Sequence, residues 1–532
     1  MKKIVYPVIT FLLCFSSFLA AQNEPSPEIR KLFEATTKIK ALYVDTINDK
    51  KLVEGAIVGM LEKLDPHSVY VPKEEVKEMN EPLVGNFEGI GVQFQMIEDT
   101  LFVEQTISGG PSEKVGVHPG DRIVIVNDSS IAGVKMSTPN IMKRLRGKKG
   151  TEVNIKVLRR GNKDLIEFKI IRDKIPIFSV DASYMAAPGV GYIKLNKFSA
   201  TSKKEFDDAF AKLQTQGMTS LILDLQSNGG GYLQTAYQLA DDFLSDKQLI
   251  VYTEGRTGRM NYMASVKGCY EQGKLILLVD EYSASASEIL SGAVQDWDRG
   301  LIVGRRTYGK GLVQQPVDLS DGSMIRLTTA RYYTPSGRCI QKSYADGIDK
   351  YKLDVVERYN RGELINEDSI HFPDSLRRET RILKRTVYGG GGIMPDYFVP
   401  MDTSFNSPYL TKIVAKGVVN EFATKYYEAH KDELKKAYPK FADFNAKFVL
   451  SDGALKEMTD MAASEKVPFD KVGFEKSKHF ITLQFKALFA RRLWDLNEFF
   501  QVINGENESC QKALEILSTP GMYDTVLNKK KR

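Results

Sequence analysis

The sequence predicts a multidomain α/β protein, and three observations predict it. Apolar, β-rich runs alternate with small-residue turns and helix-like segments from about residue 174 to 340. Short strands broken by Gly and Pro turns fill Gly85–Arg172, and helical spacing dominates both flanks. At 532 residues the chain is also too long for one core, and the usual domain size suggests roughly three to five domains. With 42% hydrophobic and 27% charged residues it has an ordinary globular composition.

Lys2 and Lys3 precede the apolar run Ile4–Leu19, and the small residues Ala20 and Ala21 follow. That is the pattern of a secretory signal peptide, residues 1–21. Cys14 lies inside the run with no small residues before it, which argues against a lipidated cysteine. No later stretch is long and apolar enough to span a bilayer, so the processed protein is expected to be exported, periplasmic and without a transmembrane anchor. Losing Lys2 and Lys3 takes the formal charge from +6 to +4 (6 − 2), as no acidic residue precedes Glu24. So mild a charge excludes nucleic acid as the expected partner. Cys269, Cys339 and Cys510 lack metal-site spacing, so neither zinc nor a disulfide framework is expected.

Residues 24–83 read as a helical region, with Leu32, Ile39, Leu42, Ile57, Met60 and Leu61 at helical spacing. Within it, His67 follows Asp65-Pro66 in a turn, where a lone histidine reads as structural. Residues 84–173 follow, beginning with Gly89-Ile90-Gly91-Val92 and the alternating strand Val92–Met96. Ser108-Gly-Gly-Pro-Ser112, Val117–Val124, a helix-like Pro139–Leu145 and the strand Thr151–Arg159 come next. This order resembles a PDZ domain of the bacterial protease type. The resemblance implies that the Gly89, Ile90, Gly91, Val92 loop offers N–H groups to a peptide's terminal carboxylate while the peptide adds as a strand. Val92, Phe94, Ile141 and Leu145 would form the side-chain pocket. A lone Gly-x-Gly would read only as a tight turn; the surrounding landmarks favour the PDZ reading.

A new domain is expected over 174–340 and 389–402. The strand Ser220–Leu225 runs into Gln226-Ser-Asn-Gly-Gly-Gly231 and a helix-like Gln234–Leu244. Such a loop can bind an anion on backbone amides, but it lacks the phosphate-loop and dinucleotide spacings. Three consecutive glycines carry an entropic penalty that a plain turn would not need, so an oxyanion hole is the sharper reading. Next, Leu275–Val279 leads through Tyr282–Ser287 into a helix reaching Gln295, and Lys310 follows between Gly309 and Gly311. A serine at a strand-to-helix turn with a lysine in a glycine-flanked loop can form a Ser/Lys nucleophilic pair: Ser285 attacks and Lys310 is its base.

The bland reading of Ser285-Ala-Ser-Glu288 is a capping box, worth about 1 kcal/mol. The strand end favours a ligand site, and the five histidines all lie outside Ser179–Pro335. A lysine serves as base only when neutral, and moving one from about 10.4 to near 7 takes about 4 kcal/mol. Asp296 lies 11 residues after Ser285, roughly 16 Å along a helix, and can only support. Gln314 is the better orienter of Lys310, but on a straight strand it would stand about 13 Å away. A bend or helical turn at Gly311 is therefore expected.

Together these stretches, with Leu64–Tyr70 and Gly392–Pro400, resemble a carboxyl-terminal processing peptidase (tail-specific protease) of bacterial exported type. The resemblance spans about 330 residues in the family's order. It implies a ClpP/crotonase-like protease core and a Ser285, Lys310, Gln314 centre. It also implies an oxyanion hole from the amide of Ala286 and one of Gly230 or Gly231. The chain departs from the family at Gln226 and Gly229, where Arg and Pro are common. Protein substrates, met through their C-terminal tails, are the implied partners, with no cofactor; an adaptor protein and a homo-oligomer are further partners the sequence does not specify. Residues 341–388 read as a charged inserted arm, and 403–532 as a lysine-rich C-terminal helical domain with no assignable chemistry. A non-catalytic PDZ binding protein is the rival reading, disfavoured by Ser285, Lys310 and Gln314 occurring together; an acyl-CoA enzyme on the related core is weaker still, for want of an acid/base carboxylate pair.

Overall fold

The computed structural model describes residues 26–265 and 268–529, so the expected signal peptide lies outside the described residues. Residues to Tyr70 form one unit and residues from Val71 another. The first holds helices α1 (Pro27–Leu42) and α2 (Asp49–Leu61). Ser26 and Asn48 cap them by accepting the N–H groups of Ile29 and Lys51, which satisfies donors left open at a helix start. Asp65 accepts the backbone N–H groups of His67 and Ser68, closing the turn read around that histidine.

The second unit begins with helix α3 (Lys73–Val84). The segment read as PDZ-like then lays down β1 (Val92–Ile97), β2 (Thr100–Thr106), β3 (Arg122–Val126), helix α4 (Thr138–Leu145), β4 (Glu152–Leu158) and β5 (Ile166–Ile171). The strands pair antiparallel in that order, with β1 at the edge of the sheet. Alternation sends Val92, Phe94 and Met96 to the core under α4, and Gln93 and Gln95 to the other face.

The central domain follows as β6 (Val180–Ala187), β7 (Val190–Leu195), α5 (Ser202–Thr215), β8 (Ser220–Asp224), α6 (Leu233–Asp241), β9 (Leu249–Gly255) and β10 (Gly258–Met263). It continues as β11 (Lys274–Val279), α7 (Ala286–Asp296), β12 (Leu301–Gly304), β13 (Leu312–Asp318) and β14 (Met324–Tyr333). After helix α8 (Ile348–Asn360), β15 (Tyr397–Phe398) returns to the main sheet. The sheet order is β6–β7–β8–β11–β12–β15, with β6 antiparallel and the rest parallel. Parallel strands need both faces covered. Helices α5, α6 and α7 cover one face. On the other lie α11 (Glu508–Ser518) and α12 (Met522–Leu527), reached after α9 (Val418–Ala437) and α10 (Lys471–Leu493). The expected α/β multidomain organisation is therefore present, and so is the helical C-terminal region.

The arm expectation needs correcting. Residues 341–388 are charged, but they pack onto the protein. Arg358 is 1% exposed and donates to the carbonyls of Thr307 at 3.0 Å and Arg306 at 2.7 Å. Tyr351 is buried as well. An arm outside the core was expected, whereas these charges satisfy backbone acceptors and one another.

Candidate active site

Strands β8 and β11 end side by side, and the loops leaving them meet. Asp280, one residue past β11, accepts the N–H groups of Ser227, Tyr282 and Ser283 at 2.9–3.0 Å. One carboxylate thereby ties the glycine loop after β8 to the serine turn after β11. Asn228 reinforces the tie: its carbonyl accepts from the Ala284 N–H at 3.0 Å and the Ser287 hydroxyl at 2.8 Å.

Ser285 sits where that turn enters α7, with φ 57° and ψ −110°. A non-glycine residue there is strained, by roughly 1–3 kcal/mol, and the surrounding contacts must hold it. They do so through the residue that the capping-box reading picked out. The Glu288 carboxylate, 0% exposed, accepts the backbone N–H of Ser285 at 2.8 Å, of Gly309 at 2.8 Å and of Lys310 at 2.9 Å, together with the Thr307 hydroxyl at 2.5 Å. The buried Tyr332 hydroxyl lies against the carbonyl of Ser285 at 3.0 Å and that of Lys310, sharing its single proton between them. Ser285 and Lys310 are thus gripped at both ends of their peptide units, by one acid and one phenol. Burial pushes the Glu288 carboxyl up to about 7, while its donors act to lower it. Burial likewise holds the Tyr332 phenol well above its ordinary range.

Ser285, Lys310 and Gln314 line one cavity of 530 Å³, and so do Gly230 and Gly231. Gln314 reaches the cavity by a route other than the expected one. Among the described residues there is no helical turn at Gly311, which leads straight into β13. The irregularity lies two residues on, as a β-bulge between Val313 and Gln314 in the pairing with β14. The extra residue, Thr329, lies on β14, and the bulge sets Thr328 opposite Gln314, whose amide donates to it at 3.2 Å.

The glycine loop presses on the serine. A Cβ at Gly230 would lie 2.8 Å from the Ser285 Cβ and 2.9 Å from the Ala286 nitrogen, and one at Gly231 would lie 2.0 Å from the Phe198 carbonyl oxygen. Both positions also have positive φ, at 100° and 151°, so only glycine fits. Of the two amides expected to face an oxyanion, that of Gly230 is engaged: it donates to the Asn228 Oδ1 at 2.9 Å. This corrects Gly230 as an equal alternative, because a committed N–H is a poor donor to anything else.

Asp296 closes α7 and forms an ion pair with Arg338 at 2.7 Å, both fully buried, while also accepting the Ser336 N–H. It holds the segment after β14, at the far end of the helix from Ser285. In the PDZ-like segment, Ile141 and Leu145 lie in the domain core, and Val92 and Phe94 are half-buried beside them. Gly91 turns with φ 76° before β1, while Ile90 is buried and gives its carbonyl to Ser112. Gly89 pairs with Asp173 on a short strand.

With this geometry in view, the similarities to known proteins become informative. The model of peptidase family S41 matches residues 189–350, and a PDZ domain matches 89–170. The N-terminal domain of the activating protease CtpB matches 15–75, and a family of unknown function matches 409–495. Carboxy-terminal processing protease CtpB of Bacillus subtilis (strain 168) is 35% identical over 325 residues, which cover 60% of this chain and 67% of that protein. CtpA of the same strain is 34% identical over 343 residues, covering 64% and 73%. The carboxy-terminal-processing protease of Bartonella bacilliformis (strain ATCC 35685 / KC583 / Herrer 020/F12,63) is 33% identical over 353 residues, covering 64% and 80%. The chain belongs to the carboxy-terminal processing proteases of peptidase family S41.

The chain is a serine-type peptidase of this family, and its candidate site holds two residues that had no place among the expected site residues. Glu288 was visible as the fourth residue of a Ser-x-x-Glu box, but the box explains only its bond to Ser285. Tyr332 carried no signal, because its partners are carbonyls 47 and 22 residues away in sequence. No helix among the described residues is long and apolar enough to cross a membrane.

Proposed function

We propose that this carboxy-terminal processing protease is exported and cleaves protein substrates near their C-termini with a Ser285/Lys310/Gln314 centre. The observation that carries the reading is the double grip of Glu288 and Tyr332 on Ser285 and Lys310 beside a shared cavity.

In this mechanism neutral Lys310 takes the proton of the Ser285 hydroxyl as its oxygen attacks the scissile carbonyl. The negative charge that develops falls on the amides of Gly231 and Ala286, donors preorganised by the glycine loop and by the start of α7. The C–N bond then breaks, and Lys310 returns the proton to the leaving amine. Water, losing a proton to Lys310, attacks the resulting ester, releasing the acid product and restoring the serine. Gln314 orients the lysine without a charge that would hold it protonated. Asp296 supports from a distance through Arg338.

The PDZ domain reads the substrate's tail as an added strand on the edge strand β1, with the loop Gly89–Val92 taking the carboxylate, the half-buried Val92 and Phe94 contacting the side chains, and Ile141 and Leu145 backing them from the core. Ser285→Ala and Lys310→Ala should each abolish cleavage of a tailed protein while leaving the far-UV spectrum unchanged; full activity in either variant sinks the reading. Mass spectrometry of proteins trapped by Ser285→Ala names the substrates. Deleting residues 85–172 should alter substrate choice more than the chemistry, and unchanged cleavage of every tailed substrate would refute the tail-reading role. Sequencing the mature N-terminus tests export: it should begin near residue 22.

A further inference from the structure

Strand β14 carries the active-site wall outward. Arg326 and Thr328, on the same side of the bulge and opposite Pro316 and Gln314 of β13, share one face, and Tyr332 lies beyond the bulge. Tyr332 touches the Ser285 and Lys310 carbonyls, and Thr328 accepts from Gln314. Arg326 comes next on that face, opposite Pro316 of β13, and lines the same cavity. Arg326 is half-buried, and its guanidinium has no hydrogen-bond or ion-pair partner among the described residues. The contrast with the arginines of the surrounding domain is sharp. Arg305 pairs with Glu281, Arg338 with Asp296, and Arg385 with Asp298 and Asp396. The charged side chains lining the cavity are Lys310 and Arg326, with no carboxylate among the lining residues. A planar fork of donors left open beside a cleft is matched to a carboxylate, which it can hold through two parallel hydrogen bonds.

We propose that Arg326 binds a carboxylate of the substrate lying in the cleft and so helps to select what is cleaved. The proposal rests on the assignment of Ser285 as the nucleophile. The carboxylate is either the chain-terminal group or an Asp or Glu side chain. Arg326 is six residues along β14 from Tyr332, or about 20 Å. For a peptide extended along the strand, that places the carboxylate about four to six residues from the scissile bond, allowing for the reach of the arginine.

The test uses the full chain and four peptides that differ only at that distance: a free or amidated C-terminus, and an internal Glu or Gln. The parent enzyme should favour one carboxylate form over its neutral twin by roughly 10- to 100-fold in kcat/KM, mainly through KM. In Arg326→Gln the ratio should fall to near one, and Arg326→Glu should favour a peptide carrying Lys at the same place. A preference confined to the free terminus identifies the terminal carboxylate as the ligand, and one confined to internal Glu identifies the side chain. Equal cleavage of all four peptides by the parent, or a ratio unchanged in Arg326→Gln, overturns the proposal. Peptide affinities measured on Ser285→Ala, with and without Arg326→Gln, give the same readout without turnover, and equal affinities for all four peptides overturn it too. Continued cleavage by Ser285→Ala alone would instead indict the nucleophile assignment.

Discussion

Residues 341–388 and 403–532 look alike in the sequence, both charged and both without assignable chemistry, yet they do different work. The first grips the lysine loop by its backbone. Arg358 holds the carbonyls of Arg306 and Thr307, Gln341 accepts the Gly311 N–H at 2.8 Å, and the Lys342 N–H reaches the Gly309 carbonyl at 2.9 Å. The second covers surfaces. Helices α11 and α12 bury Cys510, Ala513, Ile516 and Tyr523 against the main sheet. Helices α9 and α10 meet the PDZ sheet through polar pairs: Arg492 with Glu104 at 2.9 Å, Arg491 with Gln93, and Lys425 with Glu98. A buried guanidinium on backbone carbonyls fixes a loop; side-chain pairs between domains fix an orientation. Charge content alone cannot tell these apart.

Breaking the first brace should have the largest effect. Arg358→Met leaves two buried carbonyls without donors and should lower stability by about 3 kcal/mol, since hydrogen bonds to a charged group are worth roughly 1.5–3 each. Burial already holds the Arg358 guanidinium down at about 10, which measures how far its charge is withdrawn from water. Thermal unfolding reads the loss. Peptidase activity per folded molecule should fall with it, because Lys310 is three and four residues from the two freed carbonyls. A variant that stays as stable as the parent would return 341–388 to the role of an inserted arm outside the core.

The shared grip comes next. Glu288→Gln replaces an acceptor of four donors with a group that is itself half donor, and should lower kcat about 100-fold, the scale of a misplacement near 1 Å. Tyr332→Phe keeps the ring and should cost about tenfold. For either variant, KM moving while kcat holds would show that the grip does not position the reacting groups.

These effects also show how much of the site could be read in advance. Ser285 and Lys310 could be singled out as candidates because each sits in a local pattern, a strand-to-helix turn or a glycine-flanked loop, and both line one cavity. The order of the domains was legible for the same reason. The bulge that sets Thr328 opposite Gln314 was not, because it exists only in the pairing of β13 with β14. Nor was the commitment of the Gly230 amide to Asn228, or the hold of Arg358 on a loop some 50 residues away. Such bonds form between segments and leave no periodicity in either.

An effect confined to a window of pH follows from titration of Glu288. Its folded value of about 7 lies above the usual 4.5, so the native state holds the proton more tightly than the unfolded chain. Its contribution is therefore full below about pH 4.5 and is lost as pH rises through 7. Thr307 makes the protonated form tolerable, because its hydroxyl is the one donor of the four that can turn and accept. Across that window the parent should lose roughly 3 kcal/mol relative to Glu288→Gln. Denaturant melts at pH 4.5, 6 and 7.5 measure it, and parallel curves would mean that the carboxyl stays ionised throughout.

The smallest effect should come from the second brace. Arg492 and Glu104 are partly exposed, and such pairs contribute at most about 1 kcal/mol. A double-mutant cycle of Arg492→Ala and Glu104→Ala should give a coupling of that size, shrinking at high salt. Its value lies in what moves with it. If the helical region sets the orientation of the PDZ domain, these weak pairs share one interface, and Arg492→Ala should change the cleavage of tailed proteins while leaving that of a short untailed peptide alone. A coupling near 1 kcal/mol with both activities unchanged would make α9 and α10 packing and nothing more.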